Sequence, residues 1–166
     1  MNRYLNLTTL VAAAWWSTTL FVWATISDVH TEGISFELAG TEISQTLVLT
    51  PAIVILVALI SRYRKTPNQI MLFAAVVALW SAYLAFSLNP AASPAAIESL
   101  EKLTGVAGTV GIASTTLAPS VYLALALVIA VLSSFAAFSR SGEAKKPSNE
   151  TVDEPSDPKS LWDSQN

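Results

Sequence analysis

Residues 15–33 read WWSTTLFVWATISDVHTEG and lead out of an apolar stretch, through three tryptophans and a run of hydroxyl side chains, into acidic residues and the only histidine of the chain. Such a stretch could form a ligand site, a membrane anchor or ordinary packing. Which of the three it forms depends on where a bilayer lies along the chain, and composition and charge indicate that position.

The composition is that of a membrane protein. Of the 166 residues, 52% are hydrophobic and only 13% are charged, whereas charged residues make up about 25% of a typical soluble domain. Four long windows contain no Asp, Glu, Lys, Arg or His, namely residues 4–27, 43–61, 66–97 and 103–139. Each window can supply the roughly 20 mostly apolar residues that a spanning helix needs.

We therefore predict an all-α membrane protein whose residues 1–138 form a four-helix transmembrane bundle. The predicted spans are residues 5–26, 45–60, 68–88 and 119–138. An uncleaved first helix is favoured over a signal peptide, because the apolar window exceeds the roughly 7–15 residues of a signal h-region and lacks a clean cleavage site. Residues 139–166 form a polar tail with too little apolar surface to fold alone, so we predict a disordered cytoplasmic tail.

The distribution of positive charge predicts the orientation, since Lys and Arg near span ends stay on the cytoplasmic side. With both termini inside, Lys102 is the only one of the nine Lys and Arg residues that lies outside. We expect a multi-pass plasma membrane protein with cytoplasmic N- and C-termini.

The first outer loop has a strand pattern. Ile34, Phe36 and Leu38 alternate with polar residues between two glycines, and such alternation is typical of a short half-buried strand. Residues 22–28, VWATISD, can pair with it. The sequence thus predicts a small extracytoplasmic β-hairpin.

The second outer loop combines a helical and an irregular pattern. Residues 95–103, AAIESLEKL, can form about two turns of amphipathic helix with Ile97, Leu100 and Leu103 on one side. The glycine-rich part that follows should be irregular.

The residues offer no evident catalytic or cofactor chemistry. His30 lies near Asp28 and Glu32, but this spacing matches none of the usual metal-ligand signatures. We interpret His30 as a solvated loop residue, and metal binding or pH sensing is the alternative. The segment TGVAGTVG, residues 104–111, lacks the Lys-Ser/Thr that a P-loop needs.

The chain's net charge of -3 gives no reason to expect nucleic-acid binding. We predict a protein that is not an enzyme and that uses no cofactor, metal or nucleic acid.

Ionisable residues within the membrane usually mark proton relays and ion-coupled transport. The four windows have none, which weighs against a proton-driven carrier built from this chain alone.

Two series of small residues favour helix association. They repeat every four positions, and small residues let helices approach closely in a bilayer. The first series is Ala74, Ala78 and Ala82, and the second is Ala126, Ala130 and Ser134. The alternative is that alanine is simply common in spans.

The tryptophans fall at different depths of the predicted spans. Trp15 and Trp16 lie near the middle of the first span and Trp80 lies at a similar depth in the third. Their N–H groups need acceptors, because an unsatisfied donor in hydrocarbon is costly. Packing among the helices is the favoured interpretation, and contact with a partner subunit or a small-molecule pocket are the alternatives. Trp23, near the outer end of the first span, fits an interfacial aromatic belt.

One apolar pair stands out in the tail. Leu161 and Trp162 lie beside Asp163 in an otherwise polar segment. They are either a chance remnant or a short docking motif for a cytoplasmic partner.

Three segments of the chain resemble the actinobacterial tryptophan-associated transmembrane protein family: FVWATISDVHTEGISFELAGTEISQTLVLTPAIVILVALISRYRK, then LTGVAGTV, then TTLAPSVYLALALVIAVLSSF. The resemblance is one of layout and covers most of residues 5–138. It implies an inner-membrane protein encoded near tryptophan or histidine biosynthesis genes, in a family whose activity is not established and whose members are sometimes presumed to be permeases. Trp23, Thr25, Gly40 and Gly105 match as structural markers only.

These observations favour a non-enzymatic membrane protein, associated with tryptophan biosynthesis genes, that acts as a small accessory or scaffold protein. The alternatives are a tryptophan or indole permease component and an accessory subunit of an actinobacterial respiratory or envelope complex. The expected partners are the lipid bilayer and other membrane protein subunits or a second copy of the chain.

Overall fold

The computed structural model describes residues 3–29, 33–63 and 69–139. Within these ranges the elements, in chain order, are α1 Arg3–Ser17, β1 Val22–Ser27, β2 Ser35–Ala39, α2 Gly40–Ile43, α3 Gln45–Tyr63, α4 Gln69–Ser87, α5 Pro94–Thr104, β3 Ile112–Thr115 and α6 Ala118–Ser139. Two 3₁₀ turns, Thr18–Leu20 and Pro90–Ala92, complete the set.

The four longest helices, α1, α3, α4 and α6, pack in a ring in which each contacts two neighbours. Three of them are long and apolar enough to cross a membrane, through the windows Gln45–Arg62, Ile70–Ser87 and Ala118–Phe138. These windows agree with the second, third and fourth predicted spans. The structure is therefore mostly helical, as expected of a membrane protein, and carries a small sheet at one end of the ring.

The first predicted span, residues 5–26, is wrong as a continuous helix. Helix α1 ends at Ser17 after 15 residues, a length of about 22 Å at roughly 1.5 Å per residue, and a hydrocarbon core is about 30 Å thick.

Side-chain hydroxyls explain where α1 ends. The hydroxyls of Ser17, Thr18 and Thr19 each donate to the carbonyl oxygen three residues earlier, at 2.7, 2.6 and 2.7 Å. Such local bonds compete with the helical backbone pattern. The β-branched and aromatic residues that follow favour a strand, and residues 22–27 form β1.

The sheet has three antiparallel strands in the order β2-β1-β3. The predicted hairpin is present, as β1 and β2. The glycine-rich segment, however, is not wholly irregular as expected, because it supplies β3. Gly111 allows this pairing, since a Cβ there would lie 2.6 Å from Ile26 Cγ2 and 2.7 Å from the Ser27 carbonyl oxygen.

Helix α5 and the sheet share one apolar layer. Ala24 and Ile26 of β1 are fully buried, as are Ala96 and Leu100 of α5, and all four belong to the same hydrophobic cluster as the bundle core. The predicted amphipathic helix is thus present, but Leu103, which was expected on its apolar side, is 55% exposed.

The ends and surface of α5 are stabilised locally. The Ser93 hydroxyl accepts from the Ala96 N–H at its N-terminus, and Gly105 ends the helix with φ 72°. On its exposed side, Lys102 donates to Glu98 over 2.7 Å, and this bond lowers the pKa of the Glu98 carboxyl.

The predicted tail lies outside the described residues, apart from Ser139. The candidate docking residues Leu161, Trp162 and Asp163 therefore lie outside them, and so does His30.

Candidate functional site

A buried hydroxyl network joins three helices just below the sheet. Tyr122 of α6 donates to the Leu47 carbonyl oxygen of α3 over 2.9 Å. Its hydroxyl also lies 3.1 Å from Thr50 Oγ1 and 2.5 Å from Ser81 Oγ of α4, and these two hydroxyls are 2.7 Å apart. The network therefore ties α3, α4 and α6 together at one level.

Pro51 explains why the Leu47 carbonyl accepts from another helix. In a regular helix this carbonyl would accept the N–H of the residue four positions later, which is Pro51, and proline has no N–H. A buried carbonyl without a donor is costly in an apolar environment. The Tyr122 hydroxyl replaces the missing donor, while Thr50 Oγ1 offers only a long second contact of 3.5 Å.

Three aromatic rings lie around this network. Tyr122 is in contact with Trp15 of α1 and with Trp23 of β1, each at a ring-centroid distance of 5.1 Å. All three side chains are at most 2% exposed. This aromatic cluster is the point where bundle and sheet meet.

A β-bulge accounts for the position of Trp23. The pairing of β1 with β2 shifts between Val22 and Ala24, so Trp23 has no partner in that ladder. A bulge re-aims side chains, and here it lets the consecutive residues Trp23 and Ala24 both be buried. The expectation that Trp23 belongs to an interfacial belt is wrong, because its side chain is only 2% exposed and packs against Tyr122 within the protein.

Gly40 lets the chain pass close to the Trp23 indole. A Cβ at Gly40 would lie 2.7 Å from Cε2 and Nε1 of that ring. The indole Nε1 donates to the Thr18 carbonyl oxygen over 2.9 Å. The Trp23 indole is thus hydrogen-bonded to a 3₁₀ turn on one side and packs closely against the backbone of Gly40 on the other.

The tryptophans named from the sequence are divided between core and surface. Trp15 is fully buried, and its Nε1 has no hydrogen-bond partner among the described residues. Trp16 is 42% and Trp80 is 58% exposed. Trp80 is paired with Tyr83, which is 62% exposed, at a ring-centroid distance of 6.1 Å.

The small-residue series lie at the α4 and α6 packing surfaces. Ala74, Ala78 and Ala82 are at most 7% exposed, and Ala126 and Ala130 at most 6%. Ser134 is half-buried, and its hydroxyl donates to the Ala130 carbonyl oxygen over 2.8 Å. Helices α4 and α6 make the most extensive contact in the bundle.

Concave regions adjoin these elements. A groove of about 600 Å³ runs between α4 and α6, and it is lined by Leu79, Leu127, Ala130, Val131, Ser134, Phe135 and Phe138. A smaller cleft of about 200 Å³, which we call the junction cleft, lies where bundle and sheet meet. It is lined by Trp23, Ile43, Ala85, Phe86, Leu88, Pro90, Thr115, Thr116, Pro119, Ser120 and Leu123.

Sequence reasoning missed Tyr122, Thr50 and Ser81. The only available signal was a proline, Pro51, within an apolar window, which implies a carbonyl that needs another donor. That signal identifies the acceptor but not the distant residue that donates to it.

Chemically, the network consists of hydroxyls that can donate or accept hydrogen bonds, whereas the adjoining indole N–H groups can only donate. Among the residues that the structure describes, no group of three His, Cys, Asp or Glu side chains could hold a metal ion. Comparisons of the chain with family models, with curated proteins and with solved structures find no match. The resemblance to the tryptophan-associated family stays a prediction.

Proposed function

We propose that this chain is a non-enzymatic integral membrane protein that acts by association, as an accessory or scaffold protein for another membrane protein. In this proposal α3, α4 and α6 span the bilayer, and α1 crosses it together with the Thr18–Leu20 turn that extends it. The sheet lies outside, and both termini are cytoplasmic. The link to tryptophan biosynthesis rests on the resemblance alone.

The exposed pair Trp80 and Tyr83 carries the proposal. Both residues lie in the apolar window Ile70–Ser87, and neither the indole N–H nor the phenol O–H has a hydrogen-bond partner within the described part of the chain. Helical side chains lean towards the N-terminus of their helix, which for α4 is the end away from the sheet. The two polar groups therefore extend towards the middle of the bilayer, where an unsatisfied donor is costly.

A partner helix would relieve that cost. Hydrogen bonds between membrane helices contribute about 0.6 kcal/mol on average and up to about 1.7 kcal/mol. A partner with a Ser, Thr, Asn or Gln side chain at this depth would supply the acceptors. The α4–α6 groove lies beside Leu79, so the same partner has an apolar surface to pack against.

The test is affinity purification from native membranes in mild detergent, followed by mass spectrometry. The double variant Trp80→Phe/Tyr83→Phe removes both polar groups and keeps aromatic side chains. We expect it to recover several-fold less of a specific membrane partner than the unchanged chain. Phe73→Leu, at a 54% exposed apolar position of the same helix, is the matched control and should recover the partner normally.

Equal recovery by both variants, or recovery of no partner at all, would refute this role. Uptake of labelled tryptophan in a deletion strain then distinguishes the permease alternative from the accessory role. Only if the chain is part of a permease should the deletion lower tryptophan uptake.

A further inference from the structure

We propose that the junction cleft binds one small, uncharged aromatic molecule that carries a single hydrogen-bonding group. This inference goes beyond the proposed association function and does not depend on it, because the cleft and the Trp80–Tyr83 pair share no residue.

Five elements and a turn line the cleft. Its lining residues come from β1, α2, α4, the Pro90–Ala92 turn, and the adjoining ends of β3 and α6. Trp23 is only 2% exposed and so lies at the base of the cleft. The bulge in β1 leaves Trp23 buried at this junction, so the cleft combines residues of the sheet with residues of the bundle.

The volume sets the size of the occupant. The cleft measures about 200 Å³, whereas pockets for drug-sized ligands span roughly 300–1,000 Å³. An engineered apolar cavity of about 150 Å³ is known to bind benzene. One aromatic ring with one or two substituent atoms therefore fits within the cleft.

The lining residues set the chemistry. An indole and two proline rings, from Trp23, Pro90 and Pro119, provide flat apolar surfaces, and none of the lining residues is charged. An ionised ligand would lose its hydration without a compensating charge. The occupant is therefore a neutral ring.

Two hydroxyls are available for one polar group of the ligand. Thr115 and Ser120 are exposed lining residues whose hydroxyls have no hydrogen bond within the described chain. The Thr116 hydroxyl, in contrast, is already used, because it donates to the Val22 carbonyl oxygen at 2.6 Å and accepts from the Ala118 N–H at 3.2 Å. These contacts favour a phenol-like or benzyl alcohol-like molecule over a plain hydrocarbon.

The experiment uses the full chain in lipid nanodiscs and measures binding of 4-methylphenol by equilibrium dialysis, with empty nanodiscs to subtract partition into lipid. Toluene tests the need for a hydrogen bond, and 4-methylbenzoate tests the need for neutrality. We expect saturable binding of 4-methylphenol, binding of toluene that is about three- to ten-fold weaker, and no saturable binding of 4-methylbenzoate.

Two variants locate the site. Ala85→Phe places a ring in the cleft and should abolish saturable binding. Ser87→Phe adds the same ring at an exposed position two residues away that does not line the cleft, and it should bind like the unchanged chain. Equal binding by these two variants would overturn the proposal, as would binding by the unchanged chain that does not exceed the empty nanodiscs.

The melting temperature of the Ala85→Phe variant shows whether that variant folds. If it does not fold, the double variant Thr115→Val/Ser120→Ala still tests the proposal. It should bind toluene normally and lose the preference for 4-methylphenol. A preference that survives this change would contradict the role of the two hydroxyls.

Discussion

At the scale of single residues, one phenol hydroxyl compensates for one missing N–H. Pro51 leaves the Leu47 carbonyl without its helical donor, and Tyr122, 75 positions away, supplies one. The same hydroxyl contacts Thr50 and Ser81, so the loss of a single oxygen atom would weaken the connection between three helices.

Tyr122→Phe tests this compensation directly. We expect it to lower the free energy of unfolding by about 1–2 kcal/mol, since buried polar groups lose their partner. In a Pro51→Ala background the helix supplies its own N–H to the Leu47 carbonyl. The same substitution then removes only the contacts with Thr50 and Ser81, so it should lower the free energy of unfolding by less. Unfolding in mixed micelles, arranged as a double-mutant cycle, measures the difference.

The matched control in this cycle is Tyr83→Phe, which removes a phenol hydroxyl from an exposed position of α4. It should lower the free energy of unfolding only slightly, and by the same amount with or without Pro51. An equal cost of Tyr122→Phe in both backgrounds would show that the Leu47 contact contributes nothing measurable.

At the scale of elements, small residues let α4 and α6 approach each other. Ala78 and Ala126 are fully buried, and inserting extra methylenes into a packed core typically costs about 1–3 kcal/mol. We expect Ala78→Leu or Ala126→Leu to lower the unfolding free energy by this amount, as measured by denaturation in mixed micelles.

Val76→Leu adds bulk to the same helix at a position that is 62% exposed. This control should leave the unfolding free energy nearly unchanged. If Ala78→Leu were equally harmless, the alternative that alanine is merely common in spans would be correct.

At the scale of the whole molecule, sheet and bundle share one continuous hydrophobic cluster. The sheet lies at the end of the bundle where α1 and α4 end and where α3 and α6 begin. Whichever side of the membrane holds the sheet therefore fixes the orientation of all four helices.

The orientation can be measured because the chain contains no cysteine. A single Ser35→Cys, at an exposed position in β2, should react with a membrane-impermeant maleimide on intact cells. A single Ser160→Cys in the tail should react only after lysis. The reverse labelling pattern would place the sheet and the tail on the opposite sides and would refute the predicted topology.

Local composition by itself determined which segments are apolar helices and which are polar. Three of the four windows without charges correspond to α3, α4 and α6. Short-range alternation identified the β1–β2 pairing and the amphipathic α5, because these patterns depend on neighbours a few positions apart. Only the tertiary structure decided that β3 joins the sheet and that Tyr122 bonds to Leu47. Both pairings join residues far apart in the chain, and hydropathy along the sequence does not reveal which distant residues meet.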